Sequence, residues 1–193
     1  EKAEALPNSK TIKRLKTRMS LLEKQEKEIN ADMLKEVENS NEATEGMNFL
    51  SSIPGIGKAT AIAVLAETNG FELIRNKKQL TSYAGLDIRE KQSGTSVKGK
   101  PRISKKGNRN LRKTLHFPAM TAVKLNQEHR ELFHRIVNKT GIKMKGLVAV
   151  QRKLLELMYI LYKTKTFYEV NFEENRAKNQ KDFHPTEADS GSL

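Results

Sequence analysis

Three serines, Ser93, Ser96 and Ser104, stand in the most basic stretch of the chain. A hydroxyl among cations suits phosphoryl chemistry. From Arg89 to Lys113 the sequence carries ten Lys or Arg against one acid, Glu90. Ser93, Gly94, Ser96 and Gly99 lie among the first cations, so the segment opens as a loop. Such a loop holds phosphate well: the cations supply charge and the glycines let backbone N–H groups approach. A serine hydroxyl needs activation before it attacks anything. The surroundings are rich in cations and poor in bases, with His116 the nearest histidine, which disfavours a triad. Stabilising a phosphoryl transition state with Arg and Lys fits the composition better. Lys105, Lys106, Gly107, Asn108 and Arg109 then lead into a helix whose N-terminus suits a further phosphate, flanked by Arg109, Arg112 and Lys113. The plain alternative for these cations is a solvated basic face. His116, His129, His134 and His184 are scattered. No carboxylates cluster on adjacent loops, so a two-metal site cannot be assembled from this chain alone.

A second phosphate-binding pattern lies upstream, where Phe49-Leu-Ser-Ser-Ile-Pro-Gly-Ile-Gly57 precedes Lys58, Ala59, Ala61, Ile62, Ala63 and Leu65. Pro54 stops one helix. Gly55 and Gly57 permit a tight turn, and small alanines let a second helix pack closely. The N–H groups that open the second helix would face outward to a phosphate oxygen, with Lys58 beside them. This is the pattern of a helix-hairpin-helix, whose backbone contacts position a protein on DNA without reading bases. An ordinary αα-hairpin is the competing reading. Between the two basic regions, Gln79 to Leu86 reads as a short helix ending at Gly85. There Tyr83 either stacks on a base or packs half-buried with its hydroxyl at the surface.

The elements that must position these groups are helical. Apolar spacing and breakers predict helices near 47–52, 58–68, 76–84, 107–125, 127–140 and 143–164. Gly57, Gly70, Gly85 and Gly141 punctuate them, and Asn76 and Asn126 are expected N-caps. Ile88, Val97 and Ile103 make 86–106 a basic loop or short hairpin. Leu147, Val150, Leu154, Leu157, Met158 and Leu161 give the last helix its core face. Upstream, Ile12, Leu15, Met19, Leu22, Ile29 and Met33 form a heptad seam broken at Glu26. Charged residues on both sides favour a coiled coil over a helix lying on the domain. Residues 38–46 read as a polar break, and 173–193 as a polar, disordered tail. The expected class is mainly α: a long coiled-coil arm at 1–46, a compact helical domain built around the helix-hairpin-helix at 47–168, and a tail at 169–193.

Composition narrows the partners. A 193-residue chain with net charge +13 and pI near 9.8 suits a polyanion. No apolar run approaches the roughly 18 residues of a membrane span, so no membrane partner is expected. Cys is absent, which fits a reducing compartment. The chain opens at Glu1 without Met and in helical pattern, giving the expectation of a piece of a longer protein.

Four ordered blocks then carry a resemblance: Leu50-x-x-Ile-Pro-Gly-Ile-Gly57, Leu80-x-x-Tyr-Ala-Gly-Leu86, Gln92-Ser-Gly-x-Ser96 with Arg102-Ile-Ser-Lys-Lys-Gly-Asn-Arg-x-Leu-Arg112, and Ala149-Val-x-Arg-Lys-Leu-Leu155. They resemble the C-terminal transposase domain of the insertion-sequence one-ten, one-sixteen and nine-oh-two family over about residues 47–165. The arm at 8–40 resembles the coiled coil before that domain. The sequence departs at Asp87, where the family commonly has Pro. The resemblance implies a bacterial, cytoplasmic DNA transposase or recombinase. In that family an N-terminal RuvC-like domain, absent from this sequence, binds Mg²⁺ through four acids, and a C-terminal serine is the nucleophile of a composite site. Some members are guided by a structured RNA. Ser93 is the position matched to that serine, with Ser96 the runner-up. Gly55, Gly57, Lys58, Lys98, Lys100, Arg102, Lys105, Lys106, Asn108, Arg109 and Arg112 are the expected phosphate ligands for DNA or RNA. The arm at 8–40 is expected to make a homo-oligomer, and no metal is expected in this chain. The alternative is a non-catalytic nucleic-acid-binding module in which the serines only hold phosphate.

Overall fold

A computed structural model describes residues 9–89, 92–93, 97–98 and 102–169, and only the backbone at 89, 92, 93, 97 and 98. Among them the chain runs α1 (Ser9–Glu38), α2 (Asn41–Ser51), α3 (Lys58–Thr68), α4 (Lys77–Tyr83), β1 (Ile88–Arg89), β2 (Gln92–Ser93), β3 (Val97–Lys98), β4 (Arg102–Ile103), α5 (Arg109–Thr114), α6 (His116–Leu125), α7 (Gln127–Thr140) and α8 (Lys143–Thr164). The fold is mainly α.

α8 is the axis of the core. Leu147, Val150, Leu154, Leu155, Leu157, Met158 and Leu161 repeat at helical spacing and are buried, so the helix shows apolar surface to several sides at once. α2, α4, α6 and α7 all pack on it. α7 returns antiparallel through Gly141 in the left-handed conformation (φ 70°). Gly146 makes the α7–α8 approach close, since a Cβ there would stand 2.8 Å from a ring carbon of Phe133. Phe71 is fully buried against Tyr159 and Tyr162, ring centroids 5.6 and 5.3 Å away. Asn76 and Asn126 cap α4 and α7, each accepting through its side chain from the N–H three residues on.

Two boundaries differ from the sequence expectation. The polar break at 38–46 shrinks to Asn39–Ser40, and α2 begins at Asn41. Ser40 Oγ accepts from the Ala43 N–H at 3.3 Å, and the Thr44 hydroxyl donates to Val37 O at 2.9 Å. The polar residues that looked like a loop cap one helix and close the end of another. The helix expected over 107–125 divides at Leu115. Pro118 has no N–H for the Thr114 carbonyl, so the helical ladder loses one rung there. Leu115 and Ala119 still donate to the carbonyls four residues back, so the helical phase carries across the division.

α1 stands off the rest. It has no buried residue, and Leu15, Met19, Leu22 and Ile29 are more than half exposed. Only Met33, Leu34 and Val37, near its C-terminus, pack on the core.

Candidate nucleic-acid interface

The basic segment grows from a tightly closed base. β1 and β4 pair antiparallel, Ile88 opposite Ile103 and Arg89 opposite Arg102. Ser104 and Lys105 N–H donate to Asp87 O and Gly85 O at 2.8 and 3.1 Å, and Asn108 N–H to Tyr83 O at 2.7 Å. Ser104 Oγ donates to Asp87 Oδ1. Asp87, which replaces the expected Pro, therefore ties the two arms of the base together, and Ser104 is structural. Gly107 makes the return possible: it sits at φ 150°, and a Cβ there would lie 2.3 Å from Tyr83 O and 2.7 Å from Gly85 N.

Farther out, β2 and β3 pair with Ser93 opposite Val97 and Gln92 opposite Lys98. Ser93 and Lys98 thus lie on facing strands of this second two-stranded pair. Ser96 and Lys100 fall outside the described residues.

Glu67, at the last turn of α3, locks this base to the upstream hairpin. Its carboxylate accepts from Asn108 Nδ2 at 2.6 Å and Asn110 Nδ2 at 2.8 Å, while Tyr83 donates its hydroxyl to Glu67 O at 2.9 Å. The Asn108 bond first, and then that from Asn110, hold the Glu67 carboxyl below the usual carboxylate range. Asn108 Oδ1 meanwhile caps α5, accepting from Asn110 and Leu111 N–H. Arg112 Nη1 donates to Ala84 O, Gly107 O and Asn108 O at 2.8, 3.3 and 3.2 Å. In both residues, atoms expected to meet phosphate are occupied by the scaffold. Any phosphate contact of Arg112 falls to its other nitrogens.

The hairpin between α2 and α3 meets the same scaffold. Gly55 turns at φ 95°, and a Cβ there would lie 3.3 Å from Thr121 and from Ala122 N of α6. Gly57 takes the N-cap position of α3 with no side-chain cap, and the space beside it is open. Lys58 begins the helix, exposed. These two ties orient the helices: α3 ends against the start of α5 through Glu67 and begins beside α6 through Gly55. α3 therefore runs antiparallel to α5–α6. Arg102, Lys105, Lys106 and Arg109 are exposed, Lys105 in the left-handed conformation at φ 52°.

Glu67 was not legible as a functional neighbour, being 41 residues from Asn108. Nor was a cavity of about 1480 Å³ between the ribbon base, α7 and α8, with Leu132, Ile136 and Val148 among its apolar lining and Arg102, Arg135 and Arg152 among its cations. Among the described residues, no three His, Asp or Glu side chains gather as a metal set, and no helix is long and apolar enough to cross a membrane.

The description "Transposase IS116/IS110/IS902 family" matches residues 47–134, which spans the hairpin, the clamp, the ribbon and α6. Two pilin gene-inverting proteins, from Moraxella bovis and Moraxella lacunata, are each 33% identical over 113 residues, covering 58% of this chain and 35% of theirs. An uncharacterised 43.6 kDa protein of the insertion element IS110 from Streptomyces coelicolor is 28% identical over 120 residues, covering 62% of this chain and 29% of that protein. The chain spans about a third of the length of these curated relatives.

Proposed function

We propose, from the match of residues 47–134 to the transposase IS116/IS110/IS902 family, that this chain is the nucleic-acid-gripping and strand-attacking part of a DNA transposase or recombinase. The observation that carries the reading is the clamp from Glu67 to Asn108 and Asn110. It joins the hairpin helix α3 to the base of the basic ribbon, so one rigid unit holds both phosphate-binding elements. The α2–turn–α3 unit acts as a helix-hairpin-helix: Gly55 turns the chain and α3 presents its uncapped N-terminus and Lys58 to a backbone phosphate. Lys98, Arg102, Lys105, Lys106 and Arg109 neutralise further phosphates of DNA, or of a structured RNA. These contacts fix register without reading bases.

Ser93 is the nucleophile. Its Oγ, losing its proton to solvent, attacks a phosphodiester phosphorus; the bond from phosphorus to the leaving strand's oxygen breaks, that oxygen takes up a proton and departs with its strand as a hydroxyl, and the strand that carries the phosphorus stays attached to Ser93 as a phosphate ester. Cations beside it stabilise the charge on the phosphoryl oxygens. The described residues of this chain do not fit a Mg²⁺ ion, since they gather no carboxylate set. A RuvC-like acidic domain, of the kind the family resemblance implies, would supply it. The seam of α1 pairs with a second copy as a coiled coil, which its exposed Leu15, Met19, Leu22 and Ile29 support.

The test uses the full-length protein and its element-end DNA. Ser93→Ala should abolish covalent protein–DNA adducts and leave DNA affinity within about twofold, as expected for a group that only reacts. Adducts that survive in S93A and vanish in S96A would transfer the role to Ser96. A wild-type protein that binds but never forms adducts would favour the non-catalytic module.

A further inference from the structure

The exposed face of α5–α6 holds an aromatic ring that the fold does not use. Phe117 is 74% exposed, although a phenylalanine ordinarily gains by burial. Because the helical phase is continuous across Leu115, Lys113, Phe117, Met120, Thr121 and Lys124 fall on one face, and all are exposed. Residues 109–125 carry Arg109, Arg112, Lys113 and Lys124 and no acid. Thr121 lies beside the hairpin turn, 3.3 Å from where a Cβ on Gly55 would stand, so Phe117 is one helical turn from the hairpin, toward the end of α3 where Lys58 and the uncapped N–H groups lie. The His116 ring stands edge-on to it, centroids 5.5 Å apart, and braces one side.

We infer that Phe117 stacks on an unpaired nucleobase of the strand whose phosphates Lys58, Lys113 and Lys124 hold. This rests on the proposed nucleic-acid reading and adds to it a base contact where the hairpin supplies only backbone contacts. The occupant follows from charge: cations flank the ring on its own face without any acid, which suits a polyanion carrying flat apolar bases rather than an acid-free apolar protein surface. Every base offers a π-face, so the contact is tolerant of sequence. It selects strand over duplex, because a paired base has its faces covered.

The chain contains no Trp, so Phe117→Trp introduces a single reporter. Labelled oligothymidylate of about 16 nucleotides, long enough to fill such a groove, is titrated at low salt while its anisotropy and the Trp emission are both read. F117W should keep its affinity and lose most of its emission on binding. Leu73→Trp, equally exposed but beyond the opposite end of α3, should bind with its emission unchanged. Phe117→Ala should weaken binding about tenfold, the scale of one lost stacking contact. Binding without quenching at 117 overturns the stacking and leaves the phosphate reading standing. Absence of any binding overturns both. Equal quenching by a blunt duplex overturns the unpaired base. An F117A variant that changes sedimentation but not affinity overturns it in favour of a protein contact.

Discussion

At the residue scale, Gly107, Glu67 and Asn108 build the scaffold from which the cations of the candidate interface project. Gly107 brings the chain from the ribbon base back against Tyr83 and Gly85, whose backbone atoms leave no room for a Cβ, and its φ of 150° is one that other residues rarely adopt. Gly107→Ala should destabilise the folded protein by at least about 2 kcal/mol, because a Cβ clash with backbone atoms adds to a glycine-only conformation. Urea unfolding would show this as a lower midpoint at unchanged slope, and an unaltered midpoint would mean the turn is not formed as described. Glu67 is an acid in a basic neighbourhood, held ionised by two amide donors. Its folded value lies below its unfolded value, so its contribution is present at neutral pH and is lost only as pH falls through the lowered value. The sequence shows Gly107 as one more glycine in a basic run and Glu67 as a surface helix residue. What distinguishes both is a long-range approach of the α3 and α4 ends to the α5 start, which no local pattern encodes. Asn76 and Asn126 were legible because capping is local, an oxygen reaching a nitrogen three residues on.

At the element scale, the helices that bury a full stripe were placed well by their periodicity, α8 above all, since its apolar spacing is the core itself. The errors fell where polar side chains substitute for loop, at Ser40 and Thr44, and where one proline removes a hydrogen bond, at Thr114. α1 differs from the rest: its seam is legible in sequence, yet a single chain leaves it uncovered over Leu15–Ile29. An isolated, highly charged helix gains little by itself, and burial of such a seam against a second copy, as proposed, would stabilise it. The double variant Leu15→Glu, Leu22→Glu should therefore leave thermal unfolding of the helical domain unchanged and reduce the sedimenting mass to that of a monomer. A wild-type chain that already sediments as a monomer at micromolar concentration would refute the pairing.

At the scale of the whole molecule, the charge is divided by task. The helical domain spends its neutral residues on a core around α8, and exposed cations stand at the hairpin, at the ribbon base and on the outer face of α5–α6, among others on α4, α7 and α8. Clamping these through Glu67 and Gly107 keeps them in one frame, so a bound strand meets a fixed set of charges rather than a flexible tail. That predicts binding that is broad in sequence and dominated by counterion release. The most direct measurement is the affinity of the chain for a labelled DNA strand as salt rises. With six or more phosphates neutralised, affinity should fall by about a thousandfold or more between 50 and 200 mM salt. Reversing Lys58 and Arg109 to Glu should weaken binding and flatten that slope. An affinity that barely changes over this range, or a slope untouched by the double reversal, would contradict the central claim that this surface holds nucleic acid by its phosphates.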